Sequence, residues 1–142
     1  MTDRLQEAIE NFQMVEPDFR LQMLLEYSEK LPELPEALEE QRDAGLNRIE
    51  ECQSPVYVWV EVEDDTVEIH ADVPEEAPTV RGFVSLLVQT LDGARPEEVA
   101  DVPLDLLREL GIADMIGMTR TRGLGAVLRR VKHEVEEKAH AA

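Results

Sequence analysis

Few residues in this 142-residue chain are equipped for chemistry. Cys52 is its only cysteine, and His70, His133 and His140 are its only histidines. A single thiol has no partner for an intramolecular disulfide. It cannot make a CxxC redox pair or a zinc cage of several thiolates. A cysteine hydrolase needs a positioned base beside its nucleophile, and no histidine here stands in a recognisable catalytic context. His133 and Glu137, at i and i+4 on a helix, could grip a metal ion only weakly, and no resident metal or cofactor is expected. One chemistry favours a solitary thiol, the carriage of sulfane sulfur as a persulfide. A neighbouring thiol would attack the inner sulfur, close a disulfide and release the cargo as sulfide. Unpaired cysteines are also commonly inert and buried, so both roles are open at this point.

The residues around Cys52 bear on that choice. In RIEECQSPVYVW, residues 48–59, the cysteine sits at a polar turn ahead of an apolar alternation. Turns place side chains where another molecule can reach them. Thiol chemistry needs the thiolate, which nearby cations favour. Glu50 and Glu51 work against it, so Arg48 or an arginine distant in sequence has to compensate.

The elements that must hold this turn can be read from periodicity. Thr2 is placed to cap a first helix, with Leu5, Ala8, Ile9 and Phe12 on one face. Pro17 and Asp18 suit the first turn of a second helix, whose expected buried stripe is Phe19, Met23, Leu24, Tyr27 and Leu31. A short acidic helix follows and stops at Gly45. Residues 55–73 then change period. Val56, Val58, Val60 and Val62 alternate with polar and aromatic residues, Asp64-Asp65 makes a two-residue turn, and Val67, Ile69, Ala71 and Val73 alternate again. That turn pairs Val62 with Val67, Val60 with Ile69 and Val58 with Ala71. The opposite face pairs Trp59 with His70 and Glu61 with Glu68, and is expected to be solvated or to lie beside a cation such as Arg48. The segment before Cys52 is a candidate third strand. Val80, Phe83, Val84, Leu87, Val88 and Leu91 mark a strong helix suited to cover the valine face. Two short helices begin near Pro96 and Pro103. GIADMIGMTRTRG reads as a loop or broken helix, and a last helix runs from about Gly123 to Lys138. The class is α+β, a small antiparallel sheet of about three strands covered by helices, in one domain over residues 1–142 with its core at about 3–138.

Composition narrows the partners. The hydrophobic fraction of 43% suits a globular core, and the formal net charge is −18. That charge repels phosphates and argues against nucleic acid. Residues 119–142 carry six Lys/Arg against three Glu, a net +3. Residues 1–118 therefore carry eight against twenty-nine, a net −21. The basic segment is suited to dock an acidic partner or steady an anion, or it is simply a solvated mixed helix. No apolar run reaches the roughly 18 residues of a membrane span, and the first residues are not signal-like. A cytoplasmic protein, monomeric or weakly dimeric, is expected.

Four segments, in order, resemble one family. ECQSPVYVW is similar to the active-cysteine segment of the SufE family of sulfur acceptors, commonly G-C-Q-S-x-V-W. LLEYSEKLPELPE resembles the segment after that family's first helices. TVRGFVSLLV resembles its post-sheet helix, with Arg81 where lysine is common. TRTRGLGAVLRRVK resembles its C-terminal S-R-x-x-G segment. The resemblance covers about residues 3–138. It implies an IscU-like fold and a role in iron–sulfur cluster assembly. The implied protein takes persulfide sulfur from a cysteine desulfurase (SufS-like), which carries pyridoxal phosphate, and stimulates that enzyme. It passes the sulfur to a cluster scaffold (SufB-like). By position Cys52 becomes the acceptor, Gln53 and Ser54 complete its loop, and Arg120 and Gly123 fall on the C-terminal motif. Three features depart from the pattern. Glu51 replaces the usual glycine, Pro55 restrains Ser54, and Tyr57 holds the usual tryptophan place with Trp59 two residues later. The alternative is a binding activator of a partner enzyme in which Cys52 is incidental.

Overall fold

In the computed structural model, residues 1–141 are described. They form eight helices and one two-stranded sheet among the described residues. The helices are α1 (Asp3–Met14), α2 (Pro17–Ser28), α3 (Glu36–Asp43), α4 (Pro78–Leu91), α5 (Pro96–Ala100), α6 (Leu106–Glu109), α7 (Ala113–Ile116) and α8 (Met118–Ala141). The strands β1 (Tyr57–Glu63) and β2 (Thr66–Asp72) lie between α3 and α4.

The hairpin follows the expected register. Val62 faces Val67, Val60 faces Ile69, Val58 faces Ala71, Trp59 faces His70 and Glu61 faces Glu68. Asp64 and Asp65 take φ of 51° and 60°, the paired left-handed geometry of a two-residue hairpin turn. The apolar face is covered jointly, with α8 packing on β1 and α4 on β2. The other face is less solvated than expected. Trp59 is only 6% exposed, and its indole N–H donates to the Gln41 side chain of α3 at 3.0 Å. The cation beside Glu61 is Lys138, at 3.3 Å, rather than Arg48.

Two strands would leave two open edges, and each is covered in part. On β2, the Val67 N–H donates to the Ala94 carbonyl and Gly93 N–H to the Val67 carbonyl. The Ile69 N–H donates to the Asp92 carboxylate at 2.9 Å. On β1, the Asn47 side chain donates to the Val58 carbonyl at 3.1 Å, and Lys138 Nζ donates to the Val60 carbonyl. The expected third strand is reduced to a single bridge between Arg48 and Tyr57. Asn47 has a φ of 64°, which breaks extension on one side. The turn closed by Cys52 N–H on the Ile49 carbonyl, 3.2 Å, ends pairing on the other.

Thr2 caps α1 as expected, accepting from the Leu5 N–H. Helix α2 crosses α4 where Gly82 meets Leu24. A Cβ on Gly82 would overlap the Leu24 carbonyl oxygen and stand 3.0 Å from Leu24 Cγ. That crossing corrects the expected α2 stripe. Leu24 and Leu31 are buried, but Phe19 is 60% exposed. Five residues from Leu24 is a rotation of about 140° around the helix. Arg20 takes the adjoining position, donating to the carbonyls of Phe12 and Gly111. Helix α8 begins at Met118, five residues earlier than expected, with Gly117 at φ 86° marking the break from α7. No helix among the described residues is long and apolar enough to cross a membrane.

Candidate functional site

The turn after the Arg48–Tyr57 bridge delivers Cys52 to the start of α8. Its thiol donates to the Gly123 carbonyl at 3.3 Å. The residue is 7% exposed. The turn and helix can approach this closely because residue 123 is glycine. A Cβ there would stand 3.2 Å from Cys52 Sγ and 3.4 Å from both Cys52 Cα and the Glu51 carbonyl oxygen. Gly123 is thus the floor on which the thiol rests.

Beside the thiol is a cavity of about 140 Å³, lined by Cys52, Gln53, Ser54, Val80, Thr119, Arg120, Gly123 and Leu124. Two distant segments singled out from sequence, the cysteine turn and the Arg120–Gly123 motif, therefore meet in one place. Gln53 and Arg120 are exposed at its rim, and Ser54 is half-buried. Val80, Thr119 and Leu124 also belong to the lining, and none of them was expected at the site from sequence. Thr119 could have been found from Gly117, because a left-handed glycine marks a helix boundary and puts residue 119 in the first turn.

The resting thiol is held protonated. Burial pushes Cys52 up to about 11 from an ordinary 9.0; the Glu51 charge adds to the rise and Arg48 opposes it. Arg48 is half-buried, and its Nε has no hydrogen-bond partner. Glu51 itself is exposed. Among the described residues outside glycine, positive φ occurs only at Asn47, Asp64 and Asp65. Glu51 therefore takes no conformation that requires the glycine usual at this place, and its effect is electrostatic. Arg81 is structural, donating to the carbonyls of Ser28 and Val73 and so tying the end of α2 to the end of β2. The histidines stand apart from the cavity. His70 meets Glu68 at 2.6 Å, and His133 meets Glu137 at 3.2 Å.

Comparisons with known proteins agree with this arrangement over its whole length. A SufE-like protein of Mycobacterium tuberculosis is 38% identical over 134 residues, covering 94% of this chain and 92% of its own. A protein of Plasmodium falciparum named cysteine desulfuration protein SufE is 23% identical, covering 93% of this chain and 53% of its own. The solution structure of a hypothetical protein from Thermus thermophilus superposes with a TM-score of 0.84 at 36% identity, over 99% of this chain and 98% of that one. Residues 6–135 match the family described as "SufE: Fe-S metabolism associated domain". With its cysteine turn seated on the helix that bears the second family motif, the chain belongs to the SufE family.

Proposed function

We propose that the protein accepts sulfur on Cys52 from a pyridoxal-phosphate-dependent cysteine desulfurase and passes it to an iron–sulfur cluster scaffold, stimulating the desulfurase as it does so. The observation that carries this reading is the seat of the only thiol: a small, shielded cavity formed by the two family motifs. The Cys52 thiolate attacks the terminal sulfur of the donor's persulfide. A bond forms between Sγ and that sulfur, the donor's S–S bond breaks, and the donor leaves as a thiolate. Cys52 then carries Cys–S–SH with no net change in oxidation level. A scaffold thiolate takes the terminal sulfur by the same exchange, regenerating the Cys52 thiolate.

The resting thiol is both buried and protonated, so the turn at residues 50–54 must lift from α8 before attack. Lifting returns the thiol to water, lowers its pKa and frees the thiolate. Arg120, exposed at the cavity rim, is placed to steady the anionic sulfur.

Mass spectrometry after mixing with the cognate desulfurase and cysteine tests the reading. Cys52 gains the mass of one sulfur atom, and Cys52→Ser loses both the gain and the stimulation. The buried, protonated state of Cys52 favours a second reading, in which the protein activates its partner by binding alone. Full stimulation by Cys52→Ser would establish that reading in place of the first.

A further inference from the structure

Arg20, Arg42, Arg48, Arg81 and Arg130 are the half-buried arginines. Arg20 and Arg81 donate to carbonyls, and Arg42 and Arg130 donate to carboxylates. Arg48 alone has no partner among the described residues. Its Nε is buried without an acceptor, and it joins no ion pair, in a chain with 32 acidic residues. An orphaned donor on a charged group lowers stability, so its retention calls for a reason. The backbone around it supplies one. The Cys52 N–H donates to the Ile49 carbonyl at 3.2 Å, which folds residues 48–52 into one turn. Arg48 stands on the fixed side of that turn. It bridges to Tyr57, between the Ile49 N–H bond to the Val56 carbonyl at 2.8 Å and the Val58 N–H bond to the Asn47 carbonyl at 3.1 Å. When residues 50–54 lift, Arg48 stays behind, four residues from the sulfur. Few other charges face that sulfur. Beyond burial, Glu51 pushes the thiol up and Arg48 pulls it down. From α8, Arg120 lines the cavity, and from α4 only the apolar Val80 does.

We propose that Arg48 is the positioning residue for the negative charge of Cys52 Sγ at both ends of sulfur transfer, when Cys52 attacks as a thiolate and when it departs as one. The inference rests on the sulfur-acceptor reading above and divides the roles. Arg48 acts on the inner sulfur, and Arg120 acts on the terminal one. On loading, the Sγ thiolate attacks and its charge passes to the departing donor. On delivery, an acceptor thiolate attacks the terminal sulfur and the Sγ–S bond breaks. The electron pair of that bond returns to Sγ, and the transferred sulfur keeps its proton. A cation beside Sγ raises the thiolate fraction in the first step and makes Sγ a better leaving group in the second. A carboxylate paired with the guanidinium would cancel that charge. The absence of one from Arg48 is therefore what the role requires.

The test uses the full-length protein with Arg48→Gln, Arg48→Met and Arg48→Lys. Loading is followed by mass spectrometry with the cognate desulfurase and cysteine. Delivery is followed as sulfide released by dithiothreitol, an uncharged thiol, from loaded protein separated from the desulfurase. Removing a cation beside a thiol cuts its thiolate about tenfold, and the thiolate that remains is about threefold more nucleophilic. The two neutral variants therefore load about threefold more slowly. They also deliver about threefold more slowly, because a more basic thiolate leaves less readily. Arg48→Lys keeps the charge, and stays nearer wild type in both rates and in the pH profile of Cys52 alkylation. The neutral variants differ in polarity, and at least one keeps the wild-type thermal midpoint, because the donor removed had no partner. Wild-type rates in a folded neutral variant overturn the proposal. So does a lysine variant no faster than the neutral ones, since the residue would then serve packing rather than charge. A wild-type Cys52 that never gains sulfur sinks the acceptor reading itself, a result read from the wild type alone, and this proposal with it.

Discussion

Replacing Gly123 by alanine separates the packing of the cysteine turn from the stability of the helix beneath it. The new Cβ would lie 3.2 Å from Cys52 Sγ and 3.4 Å from the Glu51 carbonyl oxygen, a few tenths of an ångström tighter than comfortable contact. Overpacking of this kind costs about 1–3 kcal/mol where the surroundings cannot move. Alanine in a helix interior returns about 1 kcal/mol over glycine. If the turn yields, the two effects nearly cancel and the thiol is pushed outward. Release of Cys52 from about 11 to its ordinary 9.0 multiplies the thiolate about 100-fold at neutral pH. The less basic thiolate is about tenfold less nucleophilic. Alkylation therefore accelerates about tenfold from ionisation, with easier access adding to that. Gly125→Ala is the control, because its Cβ would meet only the flexible end of Arg129 at 3.2 Å. It gains up to about 1 kcal/mol and leaves the thiol alone. The assays are iodoacetamide kinetics and thermal unfolding. A Gly123→Ala protein destabilised by more than about 2 kcal/mol with unaltered alkylation would refute the reasoning, since it would mean that the turn is rigid and the glycine serves packing alone.

Three further outcomes follow from the same geometry. Cys52 has a higher pKa folded, about 11, than its ordinary 9.0, so its contribution is intact below pH 9 and lost as pH rises through 11. Denaturant titrations should show wild type losing up to about 3 kcal/mol relative to Cys52→Ser over that window. Glu51→Gln removes a charge that raises the thiol pKa, and Arg48→Gln removes one that lowers it. The alkylation pH profile should move down for the first and up for the second. Gly82→Ala places a Cβ against the Leu24 carbonyl, where backbone cannot give, so thermal unfolding should show a loss of about 3 kcal/mol or more despite the better helix former.

The hairpin was legible because its information is local. Strict alternation and the Asp64-Asp65 pair specify strands, turn and register together, and the observed pairs match. The two halves of the candidate site were legible as segments, but not the distance between them. That Gly123 supports Cys52 is a contact across 71 positions, which no periodicity records. The same applies to Trp59, which alternation places on a polar face and which Gln41 of α3 helps to bury. Phe19 failed for a different reason. Its hydrophobicity suggested a buried stripe, but the close crossing at Gly82 fixes which side of α2 faces inward. The third strand failed because Asn47, a residue tolerant of left-handed backbone, ends the extended segment after one bridge.

A sheet of two strands is all edge, and an unpaired edge invites strand addition by other chains. Here the Asp92 carboxylate, the Ala94 carbonyl, the Gly93 N–H, Asn47 and Lys138 occupy part of the outward backbone groups, at Val58, Val60, Val67 and Ile69. An interrupted edge favours recognition of partners through side chains on helices and turns over a ladder of main-chain hydrogen bonds. Such contacts can be broken one at a time, which lets a carrier leave one protein for the next quickly. The same contacts interrupt the edge that a strand of another copy would need, which works against fibril growth from the hairpin when copies are crowded.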